Sequence, residues 1–161
     1  MLPCVLGAMF AVAAAEATPV KSPIPGSVPS PVHFVPPAPP PEPTVAERAV
    51  RLARTQLGVP YVYGGASPGG FDCSGLVMWV YGRLGIALPH NAAALYSVGT
   101  RVSLAHLKPG DLVFFHGLGH VGIYIGHGLM IHAPQTGERV EIEALGARSG
   151  SVEGARRVAT A

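Results

Sequence analysis

A single cysteine, Cys73, stands where a polar turn gives way to an apolar helical pattern. The turn covers residues 66–70, and behind the cysteine apolar side chains recur at helical spacing, at Leu76, Val77, Val80, Tyr81 and Leu84. We therefore expect Cys73 at a helix N-terminus, where unpaired backbone N–H groups and the helix dipole favour negative charge. This setting lowers a thiol pKa from roughly 8.5 toward neutrality, which favours the thiolate. Because the thiolate is the nucleophilic form, the position of Cys73 indicates a catalytic cysteine. The alternative is a buried structural cysteine, which packs as a small hydrophobe.

Two histidines fall on the same face of a predicted β-hairpin over residues 120–133. Apolar and polar side chains alternate on both sides of its central turn, Gly126-His127-Gly128. A three-residue turn gives a register that pairs Ile125 with Leu129 and Ile123 with Ile131. His120 and His132 then share the face opposite these aliphatic side chains, as diagonal neighbours roughly 7–8 Å apart at Cα.

A cysteine with two histidines suggests a nucleophile served by a base and by a residue that orients the base. Cys73 would be the nucleophile, His120 would take its proton, and His132 would orient and polarise His120. Taken singly, each histidine could equally be an ordinary polar strand residue. A zinc site made by the same three side chains is a further alternative by ligand type, but the spacings typical of zinc motifs are missing, so we expect no metal.

The remaining pattern supplies helices first and strands later. Thr44 and Glu47 form a predicted capping box for a first helix that ends at Gly58, and the cysteine helix is expected to end at Gly85. A third helix is predicted over residues 91–98, with Asn91 as its cap. Strands are predicted over residues 111–115, 120–125, 129–133 and 139–142, with a fifth at Val158. This order predicts an α+β domain in which the cysteine helix packs on an antiparallel sheet.

Composition excludes several function classes. The 161 residues carry a formal net charge of +2 with scattered basic residues, so we expect no nucleic-acid binding. Two cysteines, one of them near the N-terminus, do not make a disulfide framework. One domain is expected at this length, and we expect it to act as a monomer.

The first 43 residues divide into two segments. Residues 1–18 are largely apolar and end in small residues, as a secretory signal does, although no Lys or Arg precedes the apolar run. The alternative is a disordered apolar tail. Residues 19–43 are rich in proline and predict a semi-rigid polyproline II linker. These segments predict a domain at 44–161 that is exported to the cell wall or periplasm, with no membrane span once the signal is removed.

The domain resembles the NlpC-type (p-sixty) family of bacterial cell-wall cysteine peptidases. The resemblance is carried by Phe71-Asp72-Cys73-Ser74-Gly75-Leu76 together with blocks at residues 58–61, 64–65, 108–115, 119–126 and 131–134. It implies a papain-like α+β core. It also implies hydrolysis of peptidoglycan stem peptides, typically at the bond between D-γ-glutamate and meso-diaminopimelate, through a thioester and without a cofactor.

The resemblance also implies roles for individual residues. Cys73 matches the nucleophile, His120 the general base and His132 the third, orienting residue. Tyr61 matches a tyrosine near the nucleophile that helps to hold the oxyanion. The substrate-facing rim would include Asp72 and Ser74, and the Ser74 backbone N–H is a candidate oxyanion donor. Another histidine, His116, departs from the family pattern and is assigned no role.

The remaining histidines are predicted from their positions in the linker, in loops and in the hairpin turn to be surface residues. They are His33, His90, His106 and His127.

Two other functions remain open on the sequence alone. The same three residues could serve an amidase or a transpeptidase, since these differ from the peptidase in acyl acceptor and cleft shape. A peptidoglycan-binding module without turnover is the second alternative. Substitution of Cys73, His120 or His132 would have favoured that module, and none of the three is substituted.

Overall fold

The computed structural model describes residues 38–147 and 152–158. The chain separates into two units, Met1–Pro39 and Pro40–Ala161, and the second contains all the elements below. The predicted secretory signal and most of the predicted proline-rich linker lie outside the described residues, so both stay predictions. Within the described ranges, no helix is both long and apolar enough to span a bilayer.

The second unit is built on a six-stranded antiparallel sheet. Its strands follow the order β3-β8-β4-β5-β6-β7 in space, with a separate two-stranded ribbon formed by β1 and β2. In chain order the strands are β1 Ala66–Ser67, β2 Gly70–Phe71, β3 Thr100–Val102, β4 Leu112–Phe115, β5 His120–Gly126, β6 Leu129–His132, β7 Glu141–Ala144 and β8 Val152–Arg157.

Three α-helices precede most of the sheet. They are α1 Val45–Arg54, α2 Cys73–Gly82 and α3 Ala92–Leu95, and a 3-10 turn follows at Leu104–His106. The predicted caps are confirmed: Thr44 and Glu47 form a reciprocal capping box on α1, and Asn91 accepts from the backbone N–H of Ala94 at the start of α3. The helices end earlier than predicted, because α1 stops before Gly58 and α2 stops before Gly85.

The main core lies between the helices and one face of the sheet. Alternate residues of β4 and β5 enter it, while their neighbours form a smaller cluster on the opposite face. Helix α2 contributes four fully buried side chains to the main core, those of Leu76, Val77, Val80 and Tyr81. The α+β prediction is therefore confirmed, with the cysteine helix packed on an antiparallel sheet.

The hairpin of β5 and β6 is close to the prediction but differs at its turn. Ile123 pairs with Ile131 as expected, whereas Leu129 pairs with Gly126 and not with Ile125. The turn has left-handed φ at both of its central residues, 55° at His127 and 73° at Gly128, as a two-residue type I′ turn requires. A β-bulge at Ile125 absorbs the extra residue, so the register nearer the histidines is unchanged.

Two strand predictions need correction, and three short strands were missed. The strand predicted at 139–142 lies at Glu141–Ala144, because Val140 exchanges backbone hydrogen bonds with Gly58 and Val59 instead. The final strand ends at Arg157, one residue before Val158. The short strands β1, β2 and β3 were not predicted.

A buried ion pair closes the end of β4 that is remote from the histidines. The side chain of Asp111 is 1% exposed and accepts two hydrogen bonds of 2.7 Å from the Arg157 guanidinium. The backbone N–H of Lys108 donates a third at 2.7 Å. Hydrogen bonding to Asp111 raises the pKa of Arg157. The hydroxyl of Tyr81 donates to the carbonyl of Gly110, which ties α2 to the same corner.

Candidate active site

Cys73 is the first residue of α2, as the sequence predicts. Asp72 caps the helix in an extended conformation, and its carboxylate accepts the backbone N–H of Gly75 at 2.7 Å. The cap thus engages the third helical N–H. Three other backbone N–H groups, from Val121, Ser74 and Cys73 itself, lie where they stabilise a negative sulfur. The cysteine therefore faces the start of β5, immediately beside His120.

Burial raises the pKa of the Cys73 thiol above its ordinary value. Hydrogen bonds from the backbone N–H groups of Val121, Ser74 and Cys73 lower this pKa. The negative charge of Asp72 raises it further, and the net shift is upward. The sequence predicted that the helix N-terminus would lower the thiol pKa toward neutrality. That prediction is wrong, because burial outweighs the backbone N–H groups and the pKa is raised. A thiol with a raised pKa is protonated at neutral pH, so attack requires a base that takes its proton.

His120 and His132 meet as the hairpin register predicts. The Nε2 of His120 lies 2.9 Å from the Nδ1 of His132, and the two rings are nearly perpendicular, at 89°. Both side chains are buried. Gly122 leaves room for the neighbouring side chains on β6, since a Cβ there would lie 2.7 Å from the Met130 sulfur and 3.4 Å from the His132 Cβ.

The far side of His132 faces strand β7. Its Nε2 lies 3.1 Å from a carboxylate oxygen of Glu143 and 3.9 Å from one of Glu141. Neither glutamate was singled out from the sequence: Glu141 lay in the predicted fourth strand with no partner assigned to it, and Glu143 lay beyond the predicted end of that strand at residue 142. The hairpin alone gave no sign that a third strand would bring carboxylates to this histidine.

Asp72 is the centre of a polar network at the cleft. Besides capping α2, its carboxylate accepts from the backbone N–H of Gly64 at 3.0 Å and from the Ser74 hydroxyl at 3.1 Å. Its Oδ1 also lies 2.8 Å from the Nε2 of His90. His90 was predicted to be a surface loop residue, and it is exposed, but it also lines the cleft. Sequence analysis missed this role.

The cysteine opens into a cleft of about 380 Å³. Its walls include the six residues Tyr61, Tyr63, Asp72, Cys73, Ser74 and His90. Tyr61 and Cys73 line the same cleft, and the pKa of Tyr61 is raised by burial and further by the charges of Cys73, Asp72 and Tyr63. Tyr63 is 89% exposed at the mouth of the cleft.

The loop between β4 and β5 holds three successive residues in the left-handed region. Their φ values are 53° at His116, 61° at Gly117 and 69° at Leu118. Leu118 and Gly119 line the cleft, and the His116 ring centre lies 6.4 Å from that of His120. His106 and His127 are exposed as predicted, and His33 lies outside the described residues. In the described ranges, no group of three or more His, Cys, Asp or Glu side chains is arranged to hold a metal ion.

The family comparison covers the segment that contains Cys73, His120 and His132. The sequence pattern of the NlpC/P60 family matches residues 58–151, more than half of the chain. The chain belongs to the NlpC/P60 family. It is 51% identical over 109 residues to the probable endopeptidase Rv2190c of Mycobacterium tuberculosis, a match that covers 67% of this chain and 28% of the relative. The chain therefore spans under a third of the length of that relative.

Solved structures of the family share the fold. NlpC2 from Trichomonas vaginalis superposes with a TM-score of 0.71 at 33% sequence identity, over 75% of this chain and 49% of that one. The peptidoglycan hydrolase RipB from Mycobacterium tuberculosis gives a TM-score of 0.66 at 31% identity, over 73% of this chain and 66% of its own. The resemblance seen in the sequence is thus confirmed at the level of family and fold.

Proposed function

We propose that this protein is a peptidoglycan endopeptidase that cleaves stem peptides, at the bond between D-γ-glutamate and meso-diaminopimelate. The observation that carries the proposal is the placement of Cys73 on a cleft, beside the strand that begins with His120, with His132 at 2.9 Å behind it. Relatives named endopeptidase and peptidoglycan hydrolase support the reaction class and the polymer.

The reaction proceeds through a thioester. His120 takes the proton from the Cys73 thiol as the sulfur attacks the γ-glutamyl carbonyl carbon, and the carbonyl electrons move onto oxygen. Collapse of this intermediate breaks the C–N bond, and the proton held by His120 goes to the leaving amine of the diamino acid. Water then attacks the thioester with its proton passing to His120, which releases the D-glutamyl carboxylate and restores the thiol.

Three residues around the cleft assist these steps. The backbone N–H of Ser74 stabilises the oxyanion, since the Asp72 cap engages the N–H of Gly75 and not that of Ser74. The Tyr61 hydroxyl, which remains protonated because its pKa is raised, is a second donor to the same oxygen. Asp72 and the Ser74 side chain form the rim that receives the substrate. Cys73 is half-buried, which strengthens each of these contacts relative to water.

Peptidoglycan places the site of action outside the cytoplasm, in the cell wall or periplasm. Residues 1–18 would supply the export signal, and residues 19–43 would act as a spacer between the domain at 44–161 and its surroundings. The domain acts as a monomer in this scheme, because one chain carries all the proposed catalytic residues.

The test is digestion of purified stem peptides that contain the γ-D-glutamyl-diaminopimelate bond, with products identified by mass spectrometry. The full chain should cleave that bond, and a Cys73→Ala variant should leave the peptide intact. Addition of a free amine acceptor separates hydrolysis from transpeptidation, since a transpeptidase yields the amide in place of the acid. Binding without cleavage by the folded wild type would contradict the proposal and favour a wall-binding module.

A further inference from the structure

The His120–His132 contact leaves one question of proton placement. For His120 to accept the thiol proton at Nδ1, its Nε2 must carry a proton and donate it to the Nδ1 of His132. His132 must then be the tautomer that carries its own proton on Nε2. The opposite tautomer would place a proton on Nδ1 of His132, force the His120 proton onto Nδ1, and leave no base facing the thiol.

We propose that Glu143 is a positioning residue that selects the working tautomer of His132. Its carboxylate oxygen lies 3.1 Å from the His132 Nε2, and a carboxylate is an acceptor only, so it requires the proton on that nitrogen. This inference rests on the proposed cysteine mechanism and extends the catalytic line to Cys73, His120, His132 and Glu143.

The surroundings favour Glu143 over its neighbour Glu141. The His132 side chain is fully buried, and the Glu143 side chain is 24% exposed, so the charge acts across a partly desolvated contact. Glu141 lies 3.9 Å from the same nitrogen and is 51% exposed, beyond hydrogen-bonding distance and well screened. Both stand on the same face of β7, which makes Glu141 a matched control of identical chemistry two residues away.

The strand register explains why the contact is built in. Glu141 pairs directly with His132, and Glu143 pairs with Met130, so Glu143 is the diagonal neighbour of the histidine. A glutamate is long enough to reach diagonally along the strand. Among the described residues, the titratable groups near this line include His120 on β5, in contact with His132, and His116 in the β4–β5 loop, whose ring centre lies 6.4 Å from that of His120.

The test compares Glu143→Ala, Glu143→Gln and Glu141→Gln in the full chain. For Glu143→Ala we expect kcat/KM on the stem peptide to fall about tenfold or more with KM little changed, by analogy with the carboxylate partners that orient metal-ligating histidines. Glu143→Gln should fall less, because its carbonyl oxygen can still accept the Nε2 proton. Glu141→Gln should stay within about twofold of wild type.

Two further readouts separate positioning from a structural role. The negative charge of Glu143 favours the protonated histidine pair, so its removal should move the acidic limb of the pH profile to lower pH by about one unit. The ¹⁵N shifts of His132 should report a proton on Nε2 in wild type and a mixed or reversed tautomer in Glu143→Ala.

The tautomer readout uses the resting protein and needs no turnover. If the wild type fails to hydrolyse the peptide, the proposed function fails while the ¹⁵N spectra still test Glu143. If the wild type is active, the positioning role is overturned by equal kcat/KM values for Glu143→Ala and Glu141→Gln. An Nδ1-protonated His132 in wild type would overturn it as well.

Discussion

Strand β4 carries a buried polar cluster at each end, and the two clusters differ in where their hydrogen bonds lead. At its start, the Asp111 carboxylate receives two hydrogen bonds from Arg157 and one from the backbone N–H of Lys108. All of these bonds join parts of the fold to one another. This corner therefore ties β8 to the loop before β4.

At the other end of β4, Phe115 pairs with His120, which begins the second cluster. From His120 the contacts run inward to His132 and Glu143, and the neighbouring residue Val121 contacts the Cys73 sulfur at the cleft. Burial of polar groups is common to both ends. The histidine end differs because its contacts lead to a cysteine on an open cleft, where the proposed mechanism needs a proton to move, whereas the hydrogen bonds of the Asp111 end stay within the fold.

The largest expected effect comes from removing the proposed base, His120, at the histidine end of β4. We expect His120→Gln to lower kcat/KM about 10²- to 10⁴-fold, the range for loss of a general base. The thermal midpoint should change little, since glutamine keeps polar atoms in a similar volume. Steady-state kinetics and a melting curve on the same preparation measure both. Activity within tenfold of wild type would show that another group takes the thiol proton.

A substitution at the Asp111 end of β4 should lower the stability of the fold and leave the catalytic rate unchanged. Arg157→Ala leaves the buried Asp111 carboxylate without its ion pair, and we expect about 2–4 kcal/mol of lost unfolding free energy. The expected loss of stability is somewhat smaller than for a fully buried ion pair, because the Arg157 side chain is 25% exposed. Urea denaturation measures the loss, with the exposed Arg101→Ala as control. An equal loss in both variants would remove the distinction between the clusters.

An alanine at Gly122 should affect both properties at once. Its Cβ would press on Met130 and His132, so we expect about 1–3 kcal/mol of destabilisation by overpacking together with reduced kcat. Gly82→Ala is the control, because a Cβ there meets no atom within 4 Å and alanine favours a helix. Full activity in folded Gly122→Ala would mean that the His132 position tolerates displacement.

The smallest expected effect concerns the thiol itself. Because burial raises the Cys73 pKa, alkylation by iodoacetamide should titrate above the ordinary thiol value. The sign for stability follows: a raised folded pKa contributes stability that is present below the unfolded pKa and lost as pH rises toward the folded pKa. The rate of alkylation against pH measures the shift. Titration below the ordinary value would indicate a resting thiolate paired with a protonated histidine.

The sequence predicted the parts of the site that depend on local patterns. Helical spacing placed Cys73 at the start of α2, and period-two alternation placed His120 and His132 on one face of a hairpin. The prediction survived an error in the turn, because a bulge at Ile125 restored the register before the histidines were reached.

The parts that the sequence did not predict depend on distant pairing. Val140 is bonded to the segment after α1, some eighty residues earlier, and this delays β7 until Glu141. The delay brings Glu143 beside His132. His90 likewise joins the site only because α2 and the loop that follows it fold back to bring the ring against Asp72. Neither contact could be predicted from the hydrophobic periodicity of the sequence, because both join residues from separate segments of the chain.

Strand β7 is an edge of the six-stranded sheet, and it presents Glu141 and Glu143 on one face. An edge strand offers unpaired backbone groups to any other strand that approaches, and like charges brought together oppose such pairing between molecules. The carboxylate beside His132 therefore also discourages sheets of neighbouring copies from joining. We expect neutralisation of both glutamates to make the protein more prone to aggregate at high concentration, so the proposed role of Glu143 and the solubility of the protein would depend on one short strand.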